Sequence, residues 1–291
     1  MAASSRLHYK TVDFLAADGT PLCGTYFPAN NDTSQTSVLL CPATGVRQAF
    51  YFPFARWLQA QGYSVLVFDY RGVGLSLPPK GLKTCMARKQ DWGEQDMPAA
   101  LTWLLTETNQ DHAILIGHSA GAQLIGLMEN YHQVRHVLAV SASSGYVRNI
   151  RLPMKIAALF FVWLYIPLTV RLLGYLPAKQ IGWDENLPAG IARQWARWCR
   201  KPGYVENDFN KTISKNYYKD LNYPISLFYA TDDPLATPKN IDDWLRLMPL
   251  AKKQIIPLKP EESGGKRIGH IDMFRPRHAA LWPSLLAVLS P

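Results

Sequence analysis

One pentapeptide constrains this chain more than any other feature, the Gly-His-Ser-Ala-Gly at 117–121. It stands between an apolar run, Ala113–Ile116, and a helix-like stretch, Ala122–Met128. A strand that must become a helix within about one residue forces the serine between them into a strained backbone conformation. Flanking glycines remove side chains that would clash with the neighbouring strand and helix. We therefore expect the Ser119 hydroxyl to stand clear of a sheet, with the Ala120 peptide N–H facing a reacting carbonyl.

The same pentapeptide can also be a purely structural turn, so the later chain must supply chemical partners. A serine nucleophile needs a carboxylate and a histidine, each following a later strand. A buried strand is predicted at Ile225–Ala230, and it ends in Thr-Asp-Asp-Pro at 231–234. Asp233 is the favoured carboxylate because its place in the turn leaves its side chain free. Asp232 is expected to cap the turn through its own backbone, and a structural turn for both is the alternative.

The histidine is expected at His270, in the loop that follows a strand predicted at Gln254–Leu258. That position lets an imidazole reach Ser119, whereas the alternative is a surface histidine without a role. His278 is predicted to be solvated on a following helix. His118, inside the pentapeptide, is predicted to support packing or the loop.

Two further segments give the chain its resemblance to a known family. Val38–Leu40 and the Cys-Pro-Ala-Thr-Gly at 41–45 resemble the strand and oxyanion loop that usually reads His-Gly-x-x. Val65–Phe68 and the Asp-Tyr-Arg-Gly-Val-Gly-Leu-Ser at 69–76 match the D-x-R-G-x-G-x-S loop. Along nearly all its length the chain resembles the α/β-hydrolase superfamily, and within it the capped serine hydrolases that include monoacylglycerol lipases and serine-aminopeptidase-like proteins. The resemblance implies an α/β-hydrolase fold, with a mostly parallel central sheet flanked by helices and an inserted helical cap.

The oxyanion hole is assigned by alignment with that family. The resemblance implies the backbone N–H groups of Thr44 and Ala120 as its donors, and the Thr44 hydroxyl is a candidate third donor. Pro42 and Ala43 replace the usual His-Gly pair. Proline cannot donate, but Pro42 precedes the donor position and can stiffen the loop.

These residues predict acyl transfer through Ser119, with His270 as the base and Asp233 as its orienting partner. No metal or organic cofactor is expected, because the sequence lacks H-E-x-x-H, a close Cys/His cluster, G-x-G-x-x-G and a P-loop. The expected substrate is a small acyl ester of medium or hydrophobic character. A peptidase, amidase, thioesterase or acyltransferase is the alternative on the same residues. A non-catalytic ligand-binding or interaction protein with this fold is the alternative of another class.

Short apolar strands alternate with helices, which predicts a sheet covered on both faces. An initial strand pair is expected near His8–Phe14 and Leu22–Tyr26. The hydrolase core is predicted over residues 1–144 and 223–291. Residues 145–222 are predicted to be a helical cap insertion, because they are too many for a loop between two core strands.

The predicted cap is both apolar and basic. Ile156–Val170 has no charge, and we favour a cap helix that packs on the core and lines an acyl pocket. A membrane-surface contact and a transmembrane span are the alternatives, although fifteen residues are few for a span and Pro167 interrupts them. From Arg148 to Lys201 there are nine Lys/Arg and two acids, a local +7 of the formal +9. These charges form either a solvated face or an attraction for an anionic substrate or lipid surface. No nucleic-acid-binding signature accompanies them, so no nucleic-acid partner is expected.

The remaining features bear on location. Met1–Lys10 lacks an apolar segment of signal-peptide length. Four scattered cysteines, Cys23, Cys41, Cys85 and Cys199, show neither metal-site spacing nor a disulfide pattern. We therefore expect a cytoplasmic protein, whose oligomeric state the sequence does not encode.

Overall fold

The fold is organised around one sheet of eight strands. The structure, a computed structural model, describes residues 8–29 and 36–289, so most of the N-terminal segment considered above lies outside the described residues. The strands are β1 (Lys10–Leu15), β2 (Pro21–Phe27), β3 (Ser37–Cys41), β4 (Ser64–Phe68), β5 (Ala113–His118), β6 (Val134–Val140), β7 (Tyr175–Leu176), β8 (Leu187–Pro188), β9 (Pro224–Ala230) and β10 (Lys252–Leu258). The sheet order is β1-β2-β4-β3-β5-β6-β9-β10, while β7 and β8 form a separate hairpin.

Among the described strands of this sheet, only β2 runs against the others. β2 pairs antiparallel with β1 and β4, and every later pair in the sheet is parallel. All five residues of β3, all five of β4 and all six of β5 are buried, because helices cover both faces of the sheet. The predicted mostly parallel sheet is confirmed. Its carboxyl edge is where β5 and β9 deliver the residues considered below.

Helices cover the two faces of the sheet and build the inserted segment. They are α1 (Phe52–Ala60), α2 (Lys89–Asp91), α3 (Met97–Thr108), α4 (Ala120–Gln123), α5 (Met154–Phe160), α6 (Ile166–Leu173), α7 (Ala189–Cys199), α8 (Pro238–Leu245) and α9 (Trp282–Ala287). The helix predicted at Ala122–Met128 is shorter than expected and gives way to a 3-10 turn at Ile125–Leu127. Gly126 lies in this turn, where a Cβ would lie 2.3 Å from the Tyr218 ring, so that ring packs directly against the backbone.

The segment between β6 and β9 contains α5, α6 and α7 together with the β7–β8 hairpin. α5 and α6 join through a π-helical turn, Phe161–Tyr165, into one continuous helix, Met154–Leu173. The expected interruption at Pro167 was wrong. Pro167 stands in the first turn after the π-helical turn, where the wider backbone spacing accommodates the ring and the missing N–H.

An 18-residue window of this 20-residue helix has a mean hydropathy of 2.0, yet only 17% of that window is buried. Length and composition alone would let it cross a membrane, a criterion that core helices of soluble proteins also meet. Its buried stripe consists of Val162, Ile166 and Val170, at a spacing of four residues. Arg200, the residue that follows α7, contacts the backbone of that stripe by donating from Nε to the Val162 carbonyl oxygen at 3.1 Å.

Candidate active site

The turn between β5 and α4 has the strained geometry that the pentapeptide predicts. Ser119 adopts φ 49° and ψ −108°, in the left-handed region that non-glycine residues avoid. Glycine is required at both flanking positions because neither has room for a Cβ atom. A Cβ at Gly121 would lie 2.1 Å from the Cys41 carbonyl oxygen, and one at Gly117 would lie 2.4 Å from the Ala122 nitrogen. Close packing of α4 on β3 and β5 therefore holds Ser119 in its strained conformation.

The structure brings the three predicted side chains together at the carboxyl edge of the sheet. The Nε2 atom of His270 lies 3.1 Å from the Ser119 Oγ, and its Nδ1 lies 2.8 Å from the Asp233 Oδ2. A carboxylate only accepts, so Nδ1 carries the proton and Nε2 of the neutral ring accepts from the serine hydroxyl. The arrangement can remove a proton from Ser119.

Asp233 is fully buried and held on both carboxylate oxygens. Its Oδ1 accepts from the backbone N–H groups of Leu235 at 2.7 Å and Ala236 at 3.1 Å. Burial alone would raise the pKa of Asp233. The neighbouring His270 and the two N–H donors outweigh burial, so that pKa lies below its ordinary value. Asp233 is therefore ionised at neutral pH.

Asp232 does not cap its own turn, which corrects the expectation from sequence. Its carboxylate instead accepts from the backbone N–H groups of Ile268 at 3.1 Å and Gly269 at 2.9 Å. The two adjacent aspartates thus have different contacts, since Asp233 contacts the His270 ring and Asp232 binds the backbone that precedes His270. Two acids in sequence at a strand end are the only signal of this arrangement, and they do not reveal which acid points where.

His118 has a more specific part than general loop support. The ring is fully buried, with Nδ1 2.7 Å from the Tyr51 hydroxyl and Nε2 2.8 Å from the His270 carbonyl oxygen. A carbonyl only accepts, so Nε2 donates to it and the Tyr51 hydroxyl donates to Nδ1. Tyr51 in turn accepts from the Ala43 N–H at 2.9 Å. This relay connects the loop after β3 with the loop that carries His270.

The relay bears on the predicted oxyanion donors. Because the Ala43 N–H is occupied by Tyr51, the next peptide N–H in the loop is that of Thr44. Within residues 8–29 and 36–289, neither the Thr44 N–H nor the Ala120 N–H has a protein acceptor. Ala120 begins α4, where helix geometry leaves peptide donors free. Both predicted donors are thus available to a bound oxygen.

A cavity of about 1170 Å³ opens over Ser119. Its cap side is apolar and aromatic, with Met154, Ala157, Phe160, Phe161, Trp183 and Trp195. Its basic lining residues, Arg267, Arg275 and Arg277, come from the loops around His270. Among the described residues, none of the Lys/Arg between Arg148 and Lys201 lines it. The positive charge of the predicted cap therefore lies outside the cavity.

Other candidate reactive groups are buried. The four cysteines are free and buried. Burial raises the pKa of the Cys41 thiol above its ordinary value and that of Cys199 to about 12, so neither is a thiolate at neutral pH. In the described ranges no group of three His, Cys, Asp or Glu side chains is placed to hold a metal ion. His278 is buried and hydrogen-bonded to the Ser263 hydroxyl, so the prediction that it is solvated was wrong.

Comparison with known sequences identifies the family. A family model described as "Alpha/beta hydrolase family" matches residues 38–280. The uncharacterized protein Rv2307c of Mycobacterium tuberculosis is 30% identical over 214 residues, which cover 66% of this chain and 70% of that protein. The uncharacterized protein YfhR of Escherichia coli is 30% identical over 70 residues, 23% of this chain and only 25% of YfhR. The chain belongs to the alpha/beta hydrolase family.

Solved structures have the same fold. A soluble variant of monoglyceride lipase from Saccharomyces cerevisiae superposes with a TM-score of 0.65 at 16% identity, covering 98% of this chain and 94% of its own. The Pyrococcus furiosus esterase Pf2001 superposes with a TM-score of 0.62 at 15% identity, covering 97% and 91%. These likenesses confirm the α/β-hydrolase fold predicted from the sequence.

The burial of His118 predicts an acid-dependent loss of stability. Burial lowers the pKa of His118 from 6.5 to about 3. Between these values the unfolded chain binds a proton that the folded chain does not, so stability falls as the pH falls. His118→Gln should lower the free energy of unfolding at pH 7.5 by about 1–3 kcal/mol, through lost buried hydrogen bonds. This deficit should shrink below about pH 6.5 in urea titrations.

His132→Gln, at an exposed histidine, is the matched control for the loss of an imidazole. A deficit of the His118→Gln protein that stays constant or grows between pH 7.5 and 4 would contradict a neutral, buried His118.

Proposed function

We propose that this chain is a serine hydrolase that cleaves an ester of medium or hydrophobic acyl character through an acyl-enzyme. Membership of a hydrolase family supports hydrolysis in general. The observation that carries the proposal is the row of hydrogen bonds from Asp233 through His270 to Ser119, beneath an apolar cavity.

In the proposed reaction, His270 Nε2 takes the hydroxyl proton while the Ser119 Oγ bonds to the ester carbonyl carbon. Asp233 stabilises the resulting imidazolium, and the Thr44 and Ala120 N–H groups hold the oxyanion. The tetrahedral intermediate collapses as the alkoxide leaves with the proton from His270. Water, deprotonated by the same histidine, then attacks the acyl-enzyme. The acid leaves, and the proton returns to Ser119.

The apolar cap side of the cavity supports a hydrophobic acyl group. The polar lining near His270, where Asp272 pairs with Arg275 and Arg277, supports a polar leaving portion. Amide, thioester or acyl-transfer chemistry on the same residues is the second candidate within enzymes. A pure binding module is disfavoured by Ser119, whose strained backbone costs energy that a binder gains nothing from.

The proposed roles predict a large difference between the two adjacent aspartates. Asp233→Asn should lower kcat for a p-nitrophenyl ester by about 10³- to 10⁴-fold, because Nδ1 loses its charged acceptor. Asp232→Asn keeps a side-chain acceptor for the loop and should lower kcat by less than about tenfold.

A fluorophosphonate probe should label the wild type, but not Ser119→Ala. A larger loss for Asp232→Asn than for Asp233→Asn would mean that the roles are reversed.

The apolar cavity predicts a preference for longer acyl chains. In a series of p-nitrophenyl esters, kcat/KM should rise by about fourfold per added methylene until the cavity is filled, the equivalent of about 0.8 kcal/mol each. Aminoacyl amides in the same assay should react more slowly. Preference for acetyl esters or for aminoacyl amides would favour the second candidate.

We further propose that the cap contacts an anionic lipid surface. The outward side of the helix Met154–Leu173 carries large apolar side chains that are about half exposed or more and do not line the cavity, namely Ile156, Trp163, Leu164, Leu168 and Leu172. Exposed Arg151 and Arg171 lie near its two ends. A helix held along one buried stripe, apolar outside and basic at its ends, fits an interfacial position better than a span. The free thiols fit a reducing compartment, where the facing leaflet is anionic.

The lipid proposal predicts weak, salt-sensitive binding. The protein should co-sediment with vesicles containing phosphatidylglycerol but poorly with phosphatidylcholine alone, and raising the salt from about 0.05 to about 0.5 M should weaken binding by tenfold or more. Leu164→Gln combined with Leu168→Gln should abolish it, while Leu250→Gln, an exposed leucine outside the cap, should not.

Unchanged vesicle binding by the double variant would contradict the proposal. Self-association of the wild type without lipid, lost in the double variant, would show instead that a second copy covers this face.

A further inference from the structure

A fully buried lysine lies behind the predicted oxyanion loop. Lys89, the first residue of α2, has no exposed surface, and its Nζ donates to the Thr44 Oγ1 at 2.7 Å. The same nitrogen lies 3.6 Å from the centre of the Trp92 ring. Burial lowers the pKa of Lys89 well below its ordinary value. Burying an amine is unfavourable unless its contacts compensate, so the contact with Thr44 calls for an explanation.

The backbone that carries Lys89 is fixed on two sides. The N–H of Gln90 donates to the Gln194 Oε1 at 2.9 Å, and the Gln194 Nε2 donates back to the Gln90 Oε1 at 2.7 Å. On the other side, the Trp92 Nε1 donates to the Arg71 carbonyl oxygen at 3.1 Å. α2 is therefore held between the cap helix α7 and the core, which defines the position of the Lys89 amine.

The contact constrains how Thr44 can act. Its hydroxyl oxygen accepts from Lys89, so the hydroxyl hydrogen is directed away from the amine. Thr44 lines the cavity together with Ser119, where a substrate oxyanion would form. We propose that Lys89 is a positioning residue that orients the Thr44 hydroxyl as a third oxyanion donor and steadies the Thr44 peptide N–H. This inference rests on the proposed serine-hydrolase function.

The test is a double-mutant cycle on kcat and KM for a p-nitrophenyl ester, with the rate of Ser119 phosphonylation as a second readout. Lys89→Met and Thr44→Val should each lower kcat by about 10- to 100-fold, somewhat less than the loss of a peptide donor, and leave KM within about twofold. The double variant should be no slower than the slower single variant, because both changes remove one interaction. Thr44→Ser keeps the hydroxyl and should retain most of the wild-type kcat.

Lys219→Met, at an exposed lysine, is the control for the loss of an amine. Multiplicative losses in the double variant, or a wild-type kcat for Thr44→Val, would overturn the role of Lys89. Should Lys89→Met fail to fold, Lys89→Gln, which can still donate to the Thr44 Oγ1, takes its place in the cycle and should retain more of the wild-type kcat than Thr44→Val. A Lys89→Gln kcat as low as that of Thr44→Val would overturn the role of hydrogen-bond donation at this position. Wild-type protein that neither reacts with the fluorophosphonate nor turns over ester would overturn the serine-hydrolase function itself, and this inference with it. A labelled wild type with equally reactive variants would overturn this inference alone.

Discussion

The hydrogen bond from the Tyr51 hydroxyl to His118 holds together parts of the site that are distant in sequence. Through it, the Ala43 peptide is connected to the His270 carbonyl oxygen, so the loop after β3 and the loop that carries His270 are held in a fixed relative position. Each group in the relay is neutral, and each is satisfied by a partner of opposite hydrogen-bonding character. Such a chain can be fully buried at little cost, whereas an unpaired member would be strongly destabilising. The precision of the site therefore depends on keeping His118 uncharged.

The sheet and the convergence of Ser119, Asp233 and His270 could be predicted from the sequence because each depends on local patterns. Short apolar runs gave the strands, and the ends of parallel strands meet at one edge whatever the loops do. Ser119, Asp233 and His270 follow from that rule, together with the turn chemistry on either side. The length of the α5–α6 helix did not follow, because a π-helical turn before Pro167 cannot be read from residue types.

Contacts between residues that are distant in sequence could not be predicted from the sequence. Asp232 and Asp233 are equivalent as letters, and only the path of the 268–270 loop decides which of them meets the ring. His278 is polar and close to arginines, yet a partner at Ser263 allows its burial. Lys89 is the least predictable of these residues, because a lysine is expected at the surface unless it has a buried hydrogen-bond acceptor. Sequence patterns report periodicity well, but they do not report the partners that make a buried polar group tolerable.

The segment between β6 and β9 is connected to the loop after β3 by a continuous set of contacts. The outward apolar face belongs to the helix Met154–Leu173, whose Val162 carbonyl oxygen accepts from Arg200 at the end of α7. α7 carries Gln194, which grips α2 next to Lys89, and Lys89 contacts Thr44. The inner face of the same helix lines the cavity, which accounts for the apolar residues on that face alone. The apolar residues on the outer face therefore require a separate explanation. A lipid surface would bury them without disturbing the contacts that connect the helix to Thr44 through α7, Gln194 and Lys89.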